Sequence, residues 1–242
     1  MIGLWDIVLL LVPAGAVVLV SMLWSANAGT MLYALFRMSV QLIAIGYLLV
    51  FIFDSDSAYM VLAVLCVMLV FSGWIALRTV PQRRVALFFK ALLSIAVGGG
   101  ITLSFVTVGV LKLQPWYLPS YMVPLAGMVF ANAMNSVSLA VERFFTHIEE
   151  SGEYLQARSI ALRTALIPVV NSLFAVGLVS LPGMMTGQIL SGVSPLIAVR
   201  YQIVIMLMVF SAAGLSASML LFMIGRDRQG FVHNMDSVDE ER

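Results

Sequence analysis

The sequence predicts an all-α, polytopic integral membrane protein, built as a bundle of about seven transmembrane helices. Only 10% of its 242 residues are charged, whereas 62% are hydrophobic and the mean hydropathy is +1.04. A soluble domain of this length has about a quarter of its residues charged. Apolar exposure on this scale would make a soluble protein aggregate, so the bilayer is the solvent that fits the composition.

Seven apolar stretches are each long enough to cross the hydrocarbon core as a helix, which takes about 20 residues. The first lacks the basic segment that precedes a cleavable signal, so we interpret it as a retained helix. We expect a transmembrane permease domain over residues 1–225 and a polar cytoplasmic tail over 226–242. The seven stretches are residues 6–24, 33–53, 58–77, 91–111, 117–141, 165–190 and 196–224.

The distribution of basic residues predicts the orientation of the bundle. With seven spans, eleven of the thirteen lysines and arginines lie on one side, and only Lys112 and Arg200 lie on the other. Basic residues collect on the cytoplasmic side of membrane proteins. The amino terminus is therefore expected outside, the carboxyl terminus in the cytoplasm, and the protein in the cell's inner (plasma) membrane.

The sequence excludes several kinds of membrane chemistry. Its two histidines, His147 and His233, lie in predicted cytoplasmic segments, which excludes a histidine-based metal or acid–base centre within the membrane. The last span has no lysine for a retinal Schiff base, and the chain lacks a Gly-Lys-Ser/Thr phosphate-binding loop. Because these motifs are missing, we expect no enzyme and no bound cofactor. The net charge of +1 gives no reason to expect a nucleic-acid partner.

Polar and sulfur-bearing side chains at membrane depth mark the fifth and sixth spans as the candidate pathway for a solute. Polar groups there face the bundle interior or a wet cavity, because an unpaired polar group in lipid is costly. For each amide the alternative is a hydrogen bond between helices, worth about 0.6 kcal/mol on average. For the methionines the alternatives are contact with a soft metal or simple gap filling. The candidates are Asn132, Asn135, Asn171, Met184, Met185 and Gln188.

The stretch GLVSLPGMMTGQILSG, residues 177–192, supports two interpretations. Pro182 and Gly183 are predicted to interrupt the sixth helix within the membrane and to free backbone carbonyls for a solute. Gly183, Gly187 and Ser191 also repeat every four residues, a spacing that favours close helix packing. Either interpretation fits the sequence.

The segment from Glu142 to Arg163 is the largest predicted cytoplasmic connection, and we expect it to form one or two short amphipathic helices. It is either a solvated connection whose charges set the topology or a docking surface for a cytoplasmic partner. The charged residues of such a docking surface are Glu149, Glu150, Glu153, Arg158 and Arg163.

Four blocks of the chain carry a family pattern: RMSVQLIAIGYLLVFIF (37–53), VPLAGMVFANAMNSVSLAVERF (123–144), RTALIPVVNSLFAVGLVSLPGMMTGQILSG (163–192) and AVRYQIVIMLMV (198–209). They resemble the bacterial Fet-type iron-export permeases, whose family includes the plant aluminium-sensitivity permeases. The resemblance implies a membrane-spanning subunit of an ABC transporter, which pairs with a separate ATPase subunit and with a second permease copy. It also implies iron or another metal ion as the substrate.

Two departures from the family pattern bear on function. Phe130-Ala131 precedes Asn132 where the family has a glycine, which alters a packing distance. The family's Leu-Gly-Ala element, which looks like the ATPase-docking segment, has its nearest match in residues 155–157, and the surrounding segment is several residues shorter. The leading hypothesis is a metal exporter driven through residues 149–163. The alternatives are a non-transporting scaffold or sensor, and a permease for an organic solute such as a nucleotide sugar.

Overall fold

The structure is a computed structural model that describes residues 4–24, 28–53 and 57–226. Those ranges are helical apart from short connections, which confirms the predicted all-α, polytopic class. A π-helical segment, Phe105–Val110, continues the fourth α-helix. The α-helices are α1 (Leu4–Leu23), α2 (Ala28–Phe53), α3 (Ala58–Ala76), α4 (Arg84–Ser104), α5 (Pro119–Ser151), α6 (Tyr154–Ala175), α7 (Gly183–Leu190) and α8 (Pro195–Arg226).

Five stretches of the described helices are long and apolar enough to cross a membrane: 28–53, 58–79, 81–110, 119–150 and 195–225. Helix α1 adds a shorter apolar stretch, Leu9–Leu23. The predicted sixth span, 165–190, is not one helix, because α6 ends at Ala175 and α7 begins at Gly183. The count of seven spans and the outside amino terminus stay predictions. Of the predicted tail, residues 227–242 lie outside the described residues.

The chain divides into two compact units. The first, Met1–Ser55, contains α1 and α2, where the Ser21 hydroxyl donates to the Met31 sulfur at 3.2 Å. The second, Asp56–Arg242, contains α3 to α8. All of the candidate site residues belong to this second unit.

The core of the second unit forms where α4, α5 and α8 pack against one another, and two consecutive glycines of α4 allow the close approach. A Cβ at Gly98 would lie 2.5 Å from Ser216 Oγ and 2.6 Å from the Ser216 backbone nitrogen on α8. A Cβ at Gly99 would lie 2.9 Å from a methyl group of Val129 on α5. Small residues allow helices in membranes to approach this closely, and so gain van der Waals contact.

Arg84, the first residue of α4, forms hydrogen bonds to the end of α3. Two 3-10 turns, Leu77–Thr79 and Pro81–Arg83, join these helices. Arg84 donates from Nε and Nη2 to the Trp74 carbonyl oxygen at 3.1 and 2.7 Å, and its guanidinium carbon lies 3.7 Å from the centroid of the Trp74 ring. That carbonyl is in the last turn of α3, where carbonyl groups lack partners within the helix. Arg84 therefore caps α3.

The segment predicted to form one or two short amphipathic helices is instead the continuation of two long ones. Helix α5 continues to Ser151, and Gly152 ends it in the left-handed conformation, with φ at +69°. Glycine is the usual residue for such an ending, because it lacks the Cβ that penalises positive φ. Buried Phe144 and Ala157 continue the apolar core along both helices toward this turn. We call residues 142–163 the hairpin end.

Candidate functional site

A hydrogen bond between helices fixes the relative heights of the candidate residues on α5 and α6. The buried Ser136 hydroxyl donates to the Ala165 carbonyl oxygen at 3.2 Å. With the helices antiparallel and a rise of 1.5 Å per residue, Asn132 lies within about 3 Å in height of Asn171. Asn135 differs from Asn171 by about 8 Å on the same count. Asn132 and Asn171 therefore lie at about the same level of the bundle, whereas Asn135 lies more than one helical turn (about 5.4 Å) away from that level.

The surroundings of the three asparagines differ. Asn132 is half-buried, and its Nδ2 donates to the Met128 carbonyl oxygen within α5 at 2.8 Å. Asn135 and Asn171 are exposed on the surface of the subunit. An amide facing lipid lacks partners, so these two positions require water or another protein surface over them. The hydrogen bond that joins α5 and α6 comes instead from the Ser136 hydroxyl.

The interruption after α6 begins before the predicted proline. Residues 176–182 form a tight turn, in which the Gly177 N–H donates to the Ser180 carbonyl oxygen at 2.9 Å and Gly177 has φ at +83°. Pro182 directly precedes α7, and Gly183 is its first residue. These two residues therefore start the second helix, whereas the first helix has already ended at Ala175.

Within this chain, Gly183 and Gly187 of α7 are not used for close helix packing. A Cβ at Gly183 or at Gly187 would meet no atom of the described residues within 4 Å. Both glycines are exposed. The four-residue spacing in α7 therefore does not bring a neighbouring helix close within this chain.

Helix α7 contributes instead to a cavity of about 270 Å³. Met184 and Gln188 of α7 line it, together with Tyr121 from the first turn of α5 and Tyr201 from α8. The π-helical segment that follows α4 forms another wall. No charged side chain of the described residues lines this cavity. Met185 is half-buried on α7 but does not line it.

Gln188, which lines the cavity, has a buried side-chain oxygen without a hydrogen-bond partner among the described residues. Gln188 Oε1 is buried and accepts no hydrogen bond from any described residue. Leaving a buried acceptor unsatisfied costs about 1–3 kcal/mol, and few buried polar groups in native structures lack a partner. The sequence pointed to Gln188 and Met184 but not to Tyr121 or Tyr201. Both tyrosines lie near the start of a long apolar helix. Aromatic residues are enriched at the ends of membrane-spanning helices, and this was the one sequence signal that could have found them.

The hairpin end is tied to two other parts of the bundle. Arg83, in the α3–α4 connection, pairs with Glu149 at 3.0 Å, and its guanidinium carbon lies 4.1 Å from the centroid of the Phe145 ring. On the other side, the Tyr154 hydroxyl donates to the Leu221 carbonyl oxygen of α8 at 3.0 Å. The hairpin end thus contacts both the start of α4 and the last turns of α8.

The structure brings four of the five predicted docking residues to the tip of the hairpin. Glu149 and Glu150 are in the last turn of α5, and Glu153 directly precedes α6. Arg158 lies in the second turn of α6, its guanidinium carbon 5.8 Å from the centroid of the Tyr154 ring. Arg163 is exposed but lies ten residues beyond Glu153, about 15 Å along the helix.

Comparison with known proteins shows a family match that extends over nearly the whole chain. Residues 4–228 match the model of the family described as "Uncharacterised protein family (UPF0014)". A UPF0014 membrane protein of Synechocystis sp. is 37% identical over 203 residues, which is 78% of each chain. No solved structure matches this chain.

Two further relatives carry functional names. The "Probable iron export permease protein FetB" of Escherichia coli is 34% identical over 210 residues, 81% of this chain and 80% of that protein. "Protein ALUMINUM SENSITIVE 3" of Arabidopsis thaliana is 34% identical over 230 residues, 85% of this chain and 82% of that protein. These matches confirm the resemblance that the sequence blocks indicated: the chain is a multi-pass membrane protein that belongs to the UPF0014 permease family.

Proposed function

We propose that this protein is the membrane-spanning permease subunit of an ABC-type exporter in the inner (plasma) membrane, energised by a separate cytoplasmic ATPase subunit. Its proposed substrate is iron or another metal ion, in line with the name of the FetB relative. The observation that carries the proposal is the hairpin end, whose charged tip is exposed and is joined to two other helices.

The contacts of the hairpin end support a mechanical role. A partner that displaces the tip also displaces Arg83 at the start of α4 and Leu221 near the end of α8. These two helices pack directly, because Gly98 lies against Ser216. The opposite end of α8 lines the cavity through Tyr201. A movement at the tip would therefore reach the cavity through stiff helices, as coupling through rigid packed elements requires.

The exposed amides support a role for a second permease copy. Asn135 and Asn171 are exposed in segments predicted to cross the membrane, where lipid satisfies neither donor nor acceptor. A homodimer that covers these faces would enclose the amides in a shared, hydrated pathway. Asn132, Met184, Met185 and Gln188 would contribute further contacts to a solute along α5 and α7.

Reconstitution of the permease with its cognate ATPase tests this function. We expect ATP-dependent movement of iron across the vesicle membrane, and we expect the triple variant Glu149→Gln, Glu150→Gln, Glu153→Gln to lose co-purification with the ATPase. The matched control is Gln114→Ala, an exposed residue at the opposite end of the bundle, which should leave co-purification unchanged. Co-purification of the wild type without ATP-dependent transport would contradict the exporter and favour the scaffold.

A second candidate function, a permease for an organic solute, is favoured by the uncharged cavity lining. Hard, highly charged cations prefer carboxylate and other oxygen ligands, and the cavity offers one amide oxygen, one thioether and two phenols. The same vesicles distinguish the two functions. Stimulation of the ATPase by organic solutes, with no response to Fe, Mn, Zn or Co, would replace the metal with an organic substrate.

A further inference from the structure

The π-helical segment that follows α4 is wound more widely than the helix before it. The Leu111 N–H donates to the Val106 carbonyl oxygen at 2.8 Å, five residues back, whereas an α-helix uses the carbonyl four residues back. The Leu113 N–H donates to the Thr107 carbonyl oxygen at 3.0 Å, six residues back. The winding therefore widens stepwise before the chain enters the connection to α5.

This winding is unfavourable for the backbone. π-helical turns are rare and are frequently found at functional sites. Lys112, two residues after the segment ends at Val110, has φ at +49°, in the left-handed region that costs free energy for a residue with a Cβ. Gly109 would adopt a positive φ without that cost, but it does not have one. Two neighbouring departures from favoured geometry indicate a segment that its surroundings hold in place.

Thr107 fastens the segment to the end of α4. Its side chain is 1% exposed, and its hydroxyl donates to the Leu103 carbonyl oxygen at 2.9 Å and lies 3.5 Å from the Ser104 carbonyl oxygen. Both carbonyls lie at the junction where the α-helical winding changes to the wider one. The hydroxyl therefore supplies a donor at the point where the bonding pattern of α4 ends.

The segment contributes to the cavity wall through Val106, and Leu111 lines the cavity directly after it. In an α-helical winding the Leu111 N–H would bond to the Thr107 carbonyl oxygen instead of that of Val106. A shift of one residue corresponds to about 100° of rotation and about 1.5 Å of rise. The shift would carry the Leu111 side chain away from its place in the wall, so the cavity would open toward the α4–α5 connection.

The surroundings of the segment leave room for such a change. Of its six residues, only Val106 and Thr107 are buried. Val108 is 61% exposed, and a Cβ at Gly109 would meet no atom of the described residues within 4 Å. Rewinding the second half of the segment therefore breaks few packed contacts.

We propose that residues 105–111 form a gate with two windings. The π-helical winding closes the cavity, and an α-helical winding opens it by rotating Leu111 out of the wall. The Thr107 hydroxyl favours the closed winding. The charge distribution predicts that the connection after the gate is on the outer side, so the gate controls access from there. This inference rests on the proposed function for the use of the cavity as a pathway, but the change of winding requires neither ATPase nor substrate.

Cysteine labelling of the full chain tests the gate. In a Cys66→Ala background, Leu125→Cys places a thiol in the cavity wall, where the side chain is 3% exposed. A water-soluble maleimide should react with it slowly, through transient opening. The reaction should be about fivefold faster in Thr107→Val, which loses the hydrogen bond of the closed winding. The control Thr102→Val removes a similar bond, 2.7 Å to the Gly98 carbonyl oxygen, within the regular part of α4, and should leave the rate unchanged.

Deletion of Gly109 should have the opposite effect. A bond to the fifth residue back encloses one residue more than an α-helical bond, so the shorter chain winds as an α-helix with Leu111 still in the wall. We expect slower labelling at position 125 and an unchanged Tm. Deletion of Gly100, in the regular part of α4, rotates every following residue by about 100° and should lower the Tm. An equal loss of Tm in the two deletions would overturn the proposal.

A second thiol separates opening of the gate from loss of the fold. Leu220→Cys is buried in α8, fifteen residues or about 22 Å from the lining residue Ile205, and its labelling should be the same in all gate variants. Faster labelling of both thiols in Thr107→Val would overturn the gate, as would equal rates at position 125 for Thr107→Val and Thr102→Val. Labelling as expected without transport in reconstituted vesicles would contradict the proposed function and leave the gate standing.

Discussion

Helices α4 and α7 each carry small residues, and they use them in opposite ways. In α4, Gly98 and Gly99 are buried against α8 and α5, at distances that leave no room for a methyl group. In α7, Gly183 and Gly187 are exposed, and a Cβ added at either would meet no atom of the described residues within 4 Å. A small residue permits a close approach, but a second helix must be present for the approach to occur.

The difference follows from where the two helices lie. Helix α4 has 21 residues and packs along both α5 and α8. Helix α7 has eight residues, begins after a turn and packs against α8 through one side. The glycines of α4 therefore contribute to the stability of the second unit, whereas α7 is free to present Met184 and Gln188 to the cavity.

The largest effect is expected from Gly98→Ala. Its methyl group would overlap the backbone of Ser216, and overpacking of this kind costs about 1–3 kcal/mol. Thermal unfolding in detergent would show a lower Tm. The control is Gly100→Ala, two residues away, where a Cβ meets nothing within 4 Å and where alanine favours the helix by up to about 1 kcal/mol. Equal Tm values for the two variants would contradict the packed layer.

A smaller effect is expected from Ser136→Ala, which removes the hydrogen bond from α5 to the Ala165 carbonyl of α6. The loss of one buried hydrogen bond costs about 1 kcal/mol, measured as a shift in denaturant midpoint. Ser172→Ala is the control, because its exposed hydroxyl bonds within its own helix to the Pro168 carbonyl, and its effect should stay within about 0.5 kcal/mol. A larger effect for Ser172→Ala would show that its exposed face is packed in the purified protein.

The smallest effect is expected from Gly187→Ala on α7. The added methyl group has open space around it, so stability should stay unchanged or rise by at most about 1 kcal/mol through helix propensity. The measurement is the same unfolding experiment, with Gly98→Ala beside it. A loss of stability as large as that of Gly98→Ala would remove the contrast between the two helices, and would place another surface over α7.

The α5–α6 region shows which structural features could be predicted from the sequence and which could not. Charge and hydropathy correctly identified a charged segment between two apolar ones, and the resemblance correctly identified the family. The sequence did not reveal that Phe144 and Ala157 continue the core into this segment, because its charged residues concealed the apolar pattern. It also did not reveal Arg83 as the partner of Glu149, which is 66 residues away in the chain.

Some residues that line the cavity were also predicted from the sequence, and others were missed. Met184 and Gln188 were chosen from their residue types and from the nearby Pro182, and both line the cavity. Asn132 was chosen as a polar residue at membrane depth, yet its amide bonds within its own helix. Tyr121 and Tyr201 were missed because they are 80 residues apart and meet at one cavity only after α5 and α8 have packed.

The sequence by itself determined that this chain is a helical membrane protein of a permease family, and where its charges lie along the chain. Hydropathy summed over about 20 residues is a local quantity, so it can be read without knowing any contact. Only the tertiary structure decided which small residues are packed and which buried polar atoms, Gln188 Oε1 among them, lack a hydrogen-bond partner within the described residues. Those outcomes depend on atoms from helices far apart in the chain, and burial and hydrogen bonding exist only once these helices have come together.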